Sequence, residues 1–369
     1  MKKNYFMLAA TTMLFAACAQ NDVVNEMAQE SAQQAIGFET FANKQTRAEN
    51  STAAYSWELS EHHDNFWVWG GKELIDGSFQ SVYATSSPGK VTHDGSSWNA
   101  DPKQYWDKAA KEYYFIAAAP QTLSWKADAT VDHNFSTASL SLEGFSLKGT
   151  NLSVKNSTKL VQNNWKGDQD IDLLISENTK VNREVYYGNS ATNTVQLNFS
   201  HILSRLNIIV KKDASVKPTV TITELVVDNL KSKGTFREAN NSAVNTSPGT
   251  KARWQDQDVN YSIIGATGIV TDEEQYFIQS LIIPQKIKTE NIDINGSSTE
   301  AQAYFKIAYK IGDESFTGYY NLAKALSKSD FTFGEGWQNT LTITINPTTI
   351  LFSGSVAEWA TVTDGGEIE

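Results

Sequence analysis

Val195-Gln-Leu197-Asn-Phe199-Ser-His201, followed by Ile-Leu203-Ser-Arg-Leu206-Asn-Ile208-Ile-Val210, lies just past the middle of a 369-residue chain. Val195, Leu197 and Phe199 fall on one face of an extended segment, and Leu206, Ile208 and Val210 on one face of the next. A helix would need apolar residues three and four apart; a period of two buries one side of a pleated strand. The pattern continues outward. Upstream, Ile36-Gly-Phe38-Glu-Thr40 alternates, Phe66 to Trp69 is a compact aromatic run, and Glu112 to Ala119 ends at Pro120. Downstream, Val220 and Ile222 alternate with threonines, as do Leu341, Ile343 and Ile345, while Phe305, Ile307, Tyr309 and Ile311 share one face. Tyr276 to Ile283 is almost wholly apolar, as in a strand buried on both faces, and Pro284 closes it. Turns rich in Gly, Asn, Ser and Asp separate these runs. The expectation is an all-β chain built of β-sandwiches. Only Lys103 to Lys111 and Asn321 to Ser329 read as short helical turns.

The chain carries a formal charge of −11 and a single cysteine, Cys18. A net negative charge argues against nucleic acid as a partner, because phosphate neutralisation needs clustered Lys and Arg. One cysteine makes no internal disulfide, so stability rests on apolar burial and backbone hydrogen bonds. The N-terminus opens Met-Lys-Lys, continues with a mostly apolar run from Tyr5 to Ala17 too short to span a bilayer, and reaches Cys18. Leu14-Phe15-Ala16-Ala17-Cys18 resembles the lipobox of bacterial lipoproteins, with cleavage between Ala17 and Cys18 and acylation of Cys18; Phe15 stands where Leu is usual. A plain secretory signal with a chance cysteine is the competing reading. Residues 19–34 are polar and aperiodic, like a tether. Segment boundaries follow: a signal peptide over 1–17, a lipidated tether and first strand over 18–47, one sandwich over 48–198 and a second over 199–369.

Side chains suited to chemistry are sparse. His62-His63-Asp64 offers adjacent residues that point to opposite faces of a strand, so one metal would rarely take both. Asp168-Gln-Asp170-Ile-Asp172 lacks the Gly and Glu of a calcium loop. Neither a Gly-x-Ser-x-Gly elbow nor a phosphate loop is present. No catalytic residue, metal or cofactor is expected, although paired carboxylates of a glycan hydrolase are a matter of spatial arrangement that sequence does not reveal. Ten tryptophans are either core, the preferred reading for Trp67, Trp69, Trp106 and Trp337, or stacking surfaces for sugars.

Four local patterns occur together. They are the lipobox with a following apolar strand and Thr46-Arg47-Ala48; Phe66-Trp67-Val68-Trp69 with Tyr105-Trp106 and Tyr113 to Pro120; the Val195–Val210 stretch; and Ile350-x-Phe352 with Val356-x-x-Trp359. In this order they resemble the fimbrillins, the pilins of Bacteroidales, including the Mfa-like group. The resemblance implies two tandem transthyretin-like β-sandwich domains and no enzymatic activity. It implies a structural subunit of a cell-surface pilus that contributes to adhesion. The subunit would be exported to the outer membrane as a lipoprotein precursor and cut after Arg47, before Ala48, by a trypsin-like protease. Loss of the strand carrying Ile36, Phe38 and Thr40 would open a groove. The C-terminal segment of another pilin subunit, with Ile350, Phe352, Val356, Trp359 and Val362, would fill it. The subunit would then reside in the fimbrium. The alternative is a non-polymerising, glycan-binding outer-membrane surface lipoprotein.

Overall fold

The computed structural model describes residues 34–42, 65–129, 133–147, 172–188, 191–238, 253–290, 292, 302–347 and 349–358. These residues are almost entirely strand, as the alternation predicts. In chain order the strands are β1 Gly37–Ala42, β2 Asn65–Leu74, β3 Phe79–Tyr83, β4 Gly89–His93, β5 Trp98–Asp101, β6 Ala110–Ala119, β7 Lys126–Asp128, β8 Ser139–Ser146, β9 Leu174–Ser176, β10 Thr179–Asn182 and β11 Thr194–His201. They continue with β12 Ser204–Lys212, β13 Val220–Arg237, β14 Trp254–Ile264, β15 Gly268–Val270, β16 Gln275–Ile282, β17 Lys286–Ile287, β18 Tyr304–Ile311, β19 Glu314–Asn321, β20 Phe331–Thr332, β21 Trp337–Ile345 and β22 Ile350–Glu358.

The first sheet has nine strands in the order β10-β6-β9-β11-β1-β5-β4-β2-β3, and β6 also pairs with β2. That extra pairing closes the sheet on itself. One flank of β6 is taken by β2 and the other by β10 and then β9, so both of its edges and both of its faces are used. Phe115, Ala117 and Ala119 point into the ring, while Ile116 and Ala118 face outward into a second cluster. This explains why Tyr113 to Ala119 is a continuous apolar run rather than an alternating one.

The second half pairs a four-stranded sheet, β16-β12-β21-β22, with a seven-stranded one whose path is β19-β18-β13-β8-β7, with β14 and β15 on β13. Leu206, Ile208 and Val210 of β12 meet Phe305 and Ile307 of β18 in their shared core. All seven residues from Ser204 to Val210 are buried. A third cluster joins the halves: Trp69 and Ile116 from the ring pack with Leu140 of β8, Phe236 of β13, Trp254 of β14 and Leu281 of β16. β11 runs continuously across residues 198 and 199, and β7 and β8 leave the first half of the chain to join the β13 sheet.

The helix expected near Asn321 is α1, Leu322–Ser327. The Asn321 side chain caps it by accepting the Lys324 N–H at 3.0 Å, and Lys328 ends it in the left-handed region. The other helical expectation, Lys103 to Lys111, is wrong. There the chain is extended, because Gln104 and Trp106 bond the backbone of residues ahead of β1: Ile36 N–H donates to the Gln104 carbonyl and Trp106 N–H to the Gln34 carbonyl, each at 2.9 Å.

Candidate functional site

β1 is the first described strand, yet it lies inside a sheet. It runs parallel to β11 over six register pairs, Gly37↔Thr194 to Ala42↔Phe199. On its other flank it meets β5 at one pair only, Phe38↔Trp98. The remaining hold on that side is the Gln104–Trp106 stretch, anchored by the Lys72–Asp107 ion pair at 2.6 Å. Hydrogen bonding from the Lys72 ammonium holds the Asp107 carboxyl below its usual range, with desolvation opposing.

The inward side chains are deeply placed. Ile36 is 5% exposed, Phe38 4% and Thr40 2%. Phe38 sits in an aromatic nest, edge-on to Phe66 at 6.3 Å and to Phe115 at 5.9 Å, with Tyr83 6.3 Å away. Burial of Ile36 and Phe38 is worth about 3–6 kcal/mol in transfer terms. Thr40 works against this. Its Oγ1 is buried and has no hydrogen-bond partner, a cost of about 1–3 kcal/mol. On the outward face Glu39 accepts a hydrogen bond from the Gln196 side chain.

β22 is different in kind. It forms the edge of the four-stranded sheet and pairs only with β21, from Trp337↔Glu358 to Ile345↔Ile350. Ile350 and Phe352 are half-buried against the core; Leu351 and Val356 are exposed. The Phe352 ring meets Phe305 at 5.6 Å and Tyr320 at 4.8 Å, beside a cavity of about 320 Å³ that Tyr319, Tyr320 and Lys324 help to line. Gly354 lies hard against the end of α1: a Cβ there would be 1.9 Å from the Leu326 carbonyl oxygen. Nothing in the local sequence pattern marks this contact, nor the clamp at Gln104–Trp106.

Of the other positions singled out from sequence, Ala17, Cys18, Arg47, Ala48, Trp359, Val362, His62, His63, Asp64, Asp168 and Asp170 lie outside the described residues. Asp172 meets His201 Nδ1 at 2.6 Å. Among the described residues there is no group of three or more His, Cys, Asp or Glu placed to hold a metal, and no helix long and apolar enough to cross a membrane. Trp69 and Trp106 are buried as core residues, together with Trp98, Trp125 and Trp254, while Trp67 and Trp337 are half-buried.

No curated protein matches the sequence. Among solved structures, the chain is similar to a fimbrial protein from Bacteroides vulgatus, with 17% identity, 89% of this chain and 100% of that chain covered, and a TM-score of 0.48. It is also similar to a protein assigned to cell adhesion from Bacteroides uniformis, with 15% identity, 88% and 99% covered, and a TM-score of 0.47. The family model for fimbrillin-like proteins matches residues 46–359. That match spans most of the chain, which therefore belongs to the fimbrillin-like family.

Proposed function

We infer that the chain is a structural subunit of a cell-surface pilus, with a role in adhesion, that assembles by exchange of strands between copies. The observation that carries this reading is the placement of β1: a buried strand with a nearly complete ladder on one flank, a thin seam on the other, and Arg47 a few residues beyond its end. In this reading Cys18 carries the lipid that holds the precursor at the outer membrane. A trypsin-like protease cuts between Arg47 and Ala48, and β1 leaves. The ring then opens between β11 and β5, exposing unpaired backbone groups and an apolar cleft that an extended segment can complete. β22, together with Trp359 and Val362 beyond it, supplies that segment from a neighbouring pilin subunit. A head-to-tail contact of this kind does not close, so it propagates as a filament. In this reading the chain forms two tandem transthyretin-like sandwiches over 48–198 and 199–369, with β7 and β8 of the first half lent to the second.

The glycan-binding alternative needs aromatic rings free for stacking. The described tryptophans are buried or half-buried, which supports the structural role, while Tyr105, Tyr187 and Tyr319 are exposed and are the rings such an alternative would use. The test is to treat the purified precursor with trypsin, verify the new N-terminus at Ala48 and follow light scattering. Growth of large species on cutting is expected. A cut chain that stays a stable monomer refutes assembly by this route.

A further inference from the structure

The geometry points to a specific register for the exchanged strand: β22 of a second copy occupies the place of β1 with Ile350, Phe352 and Gly354 in the positions of Ile36, Phe38 and Thr40. This deepens the strand-exchange reading above and rests on it.

The two strands carry the same pattern on one face. Ile36-x-Phe38-x-Thr40 and Ile350-x-Phe352-x-Gly354 both run from a branched aliphatic to a phenylalanine to a smaller residue. In their present positions they differ in burial. Ile36 and Phe38 are 5% and 4% exposed, whereas Ile350 and Phe352 are only half-buried on an edge strand. Moving β22 into the vacated place therefore increases the burial of both side chains. The third position favours the exchange as well. Thr40 holds a buried hydroxyl without a partner, and a glycine there removes it, at the cost of a space smaller than the one a glycine would leave in place of Phe38.

Other registers fit worse. A shift of one residue turns the apolar face outward. A shift of two places either Gly354 in the aromatic nest, leaving a void among Phe66, Tyr83 and Phe115, or Phe352 in the small Thr40 position, overfilling it. Running β22 antiparallel to β11 with Phe352 in the nest would interchange the Ile350 and Gly354 positions. The favoured register has one tight spot: Leu351 replaces Gly37, where a Cβ meets the Asn193 carbonyl oxygen at 3.3 Å, so that backbone must yield by a few tenths of an ångström.

The register fixes neighbours on the outward face. Glu39 pairs with Gln196, so Ser353 of the incoming strand should lie beside Gln196. In a Cys18→Ser background, one full-length variant carries Ser353→Cys and another carries Gln196→Cys. The two are mixed, cut with trypsin and oxidised. A disulfide between copies is expected for this pair after cutting and not before. Thr194→Cys and Asn198→Cys, which flank Gln196 at the registers shifted by two, should give at least tenfold less cross-link. Oligomers that cross-link preferentially through position 194 or 198 overturn the register while leaving strand exchange intact. Failure to form oligomers at all, with cutting verified, overturns both.

Discussion

Thr40→Val tests the energetics of β1 with a change that should strengthen the protein. Valine nearly matches threonine in shape and removes the hydroxyl. Thr40 Oγ1 is buried without a partner, in a residue 2% exposed. Relieving an unsatisfied buried hydroxyl is worth about 1–3 kcal/mol. Every 1.4 kcal/mol is a factor of ten, so the population in which β1 has detached should fall roughly 5- to 150-fold. Global unfolding is an unsuitable readout for a chain with several core clusters, because two-state behaviour is not assured. Hydrogen exchange resolves the local opening instead. Amides of Gly37–Ala42 in the uncut protein should gain protection by that factor, while amides of β18 and β21 stay unchanged. The same variant should release β1 more slowly after cutting. Unchanged or weakened protection at β1 would show that the hydroxyl costs nothing where it sits, and the argument that β1 is held against an internal penalty would fall.

Gly354→Ala places a Cβ 1.9 Å from the Leu326 carbonyl oxygen, so β22 should loosen from α1 at a cost of about 1–3 kcal/mol, seen as faster exchange or proteolysis at β22 with the ring unaffected. Trp254→Ala empties part of the cluster that joins the halves and leaves the Ile202 carbonyl without its 2.8 Å indole donor; a loss of about 3–5 kcal/mol is expected, seen as faster amide exchange in β13 and β14. The Lys72–Asp107 pair makes the β1 clamp sensitive to acid. Because the carboxyl is lowered in the folded state, its contribution is present above about pH 4, the unfolded value, and is lost as pH falls through the lowered one. Wild type should therefore exceed Lys72→Met in amide protection factors at β1 near neutral pH, with the gap closing as pH falls below the ordinary carboxylate range; a gap independent of pH would refute the ion-pair account.

Period-two alternation is a local property, and it carried the strand assignments at β11, β12, β18 and β21, because each strand buries at least one face whatever its neighbours are; β2 and β6 were legible instead as compact apolar and aromatic runs. The short helical reading of Asn321 to Ser329 matches α1, whose Asn321 cap acts within three residues. The stretch Lys103 to Lys111 was misleading for the opposite reason: its backbone bonds go to Gln34 and Ile36, far away in sequence, and no local period records them. The sequence by itself therefore determined that the chain is all-β and which residues share a face along each alternating strand. Only the tertiary structure decided that β6 and β2 close the first sheet, that β7 and β8 cross to the β13 sheet, and that β1 is a deeply buried inner strand while β22 is a half-exposed edge. Strand order and burial depend on which segments meet across long loops, and that is settled by packing over the whole chain rather than by any residue's immediate neighbours.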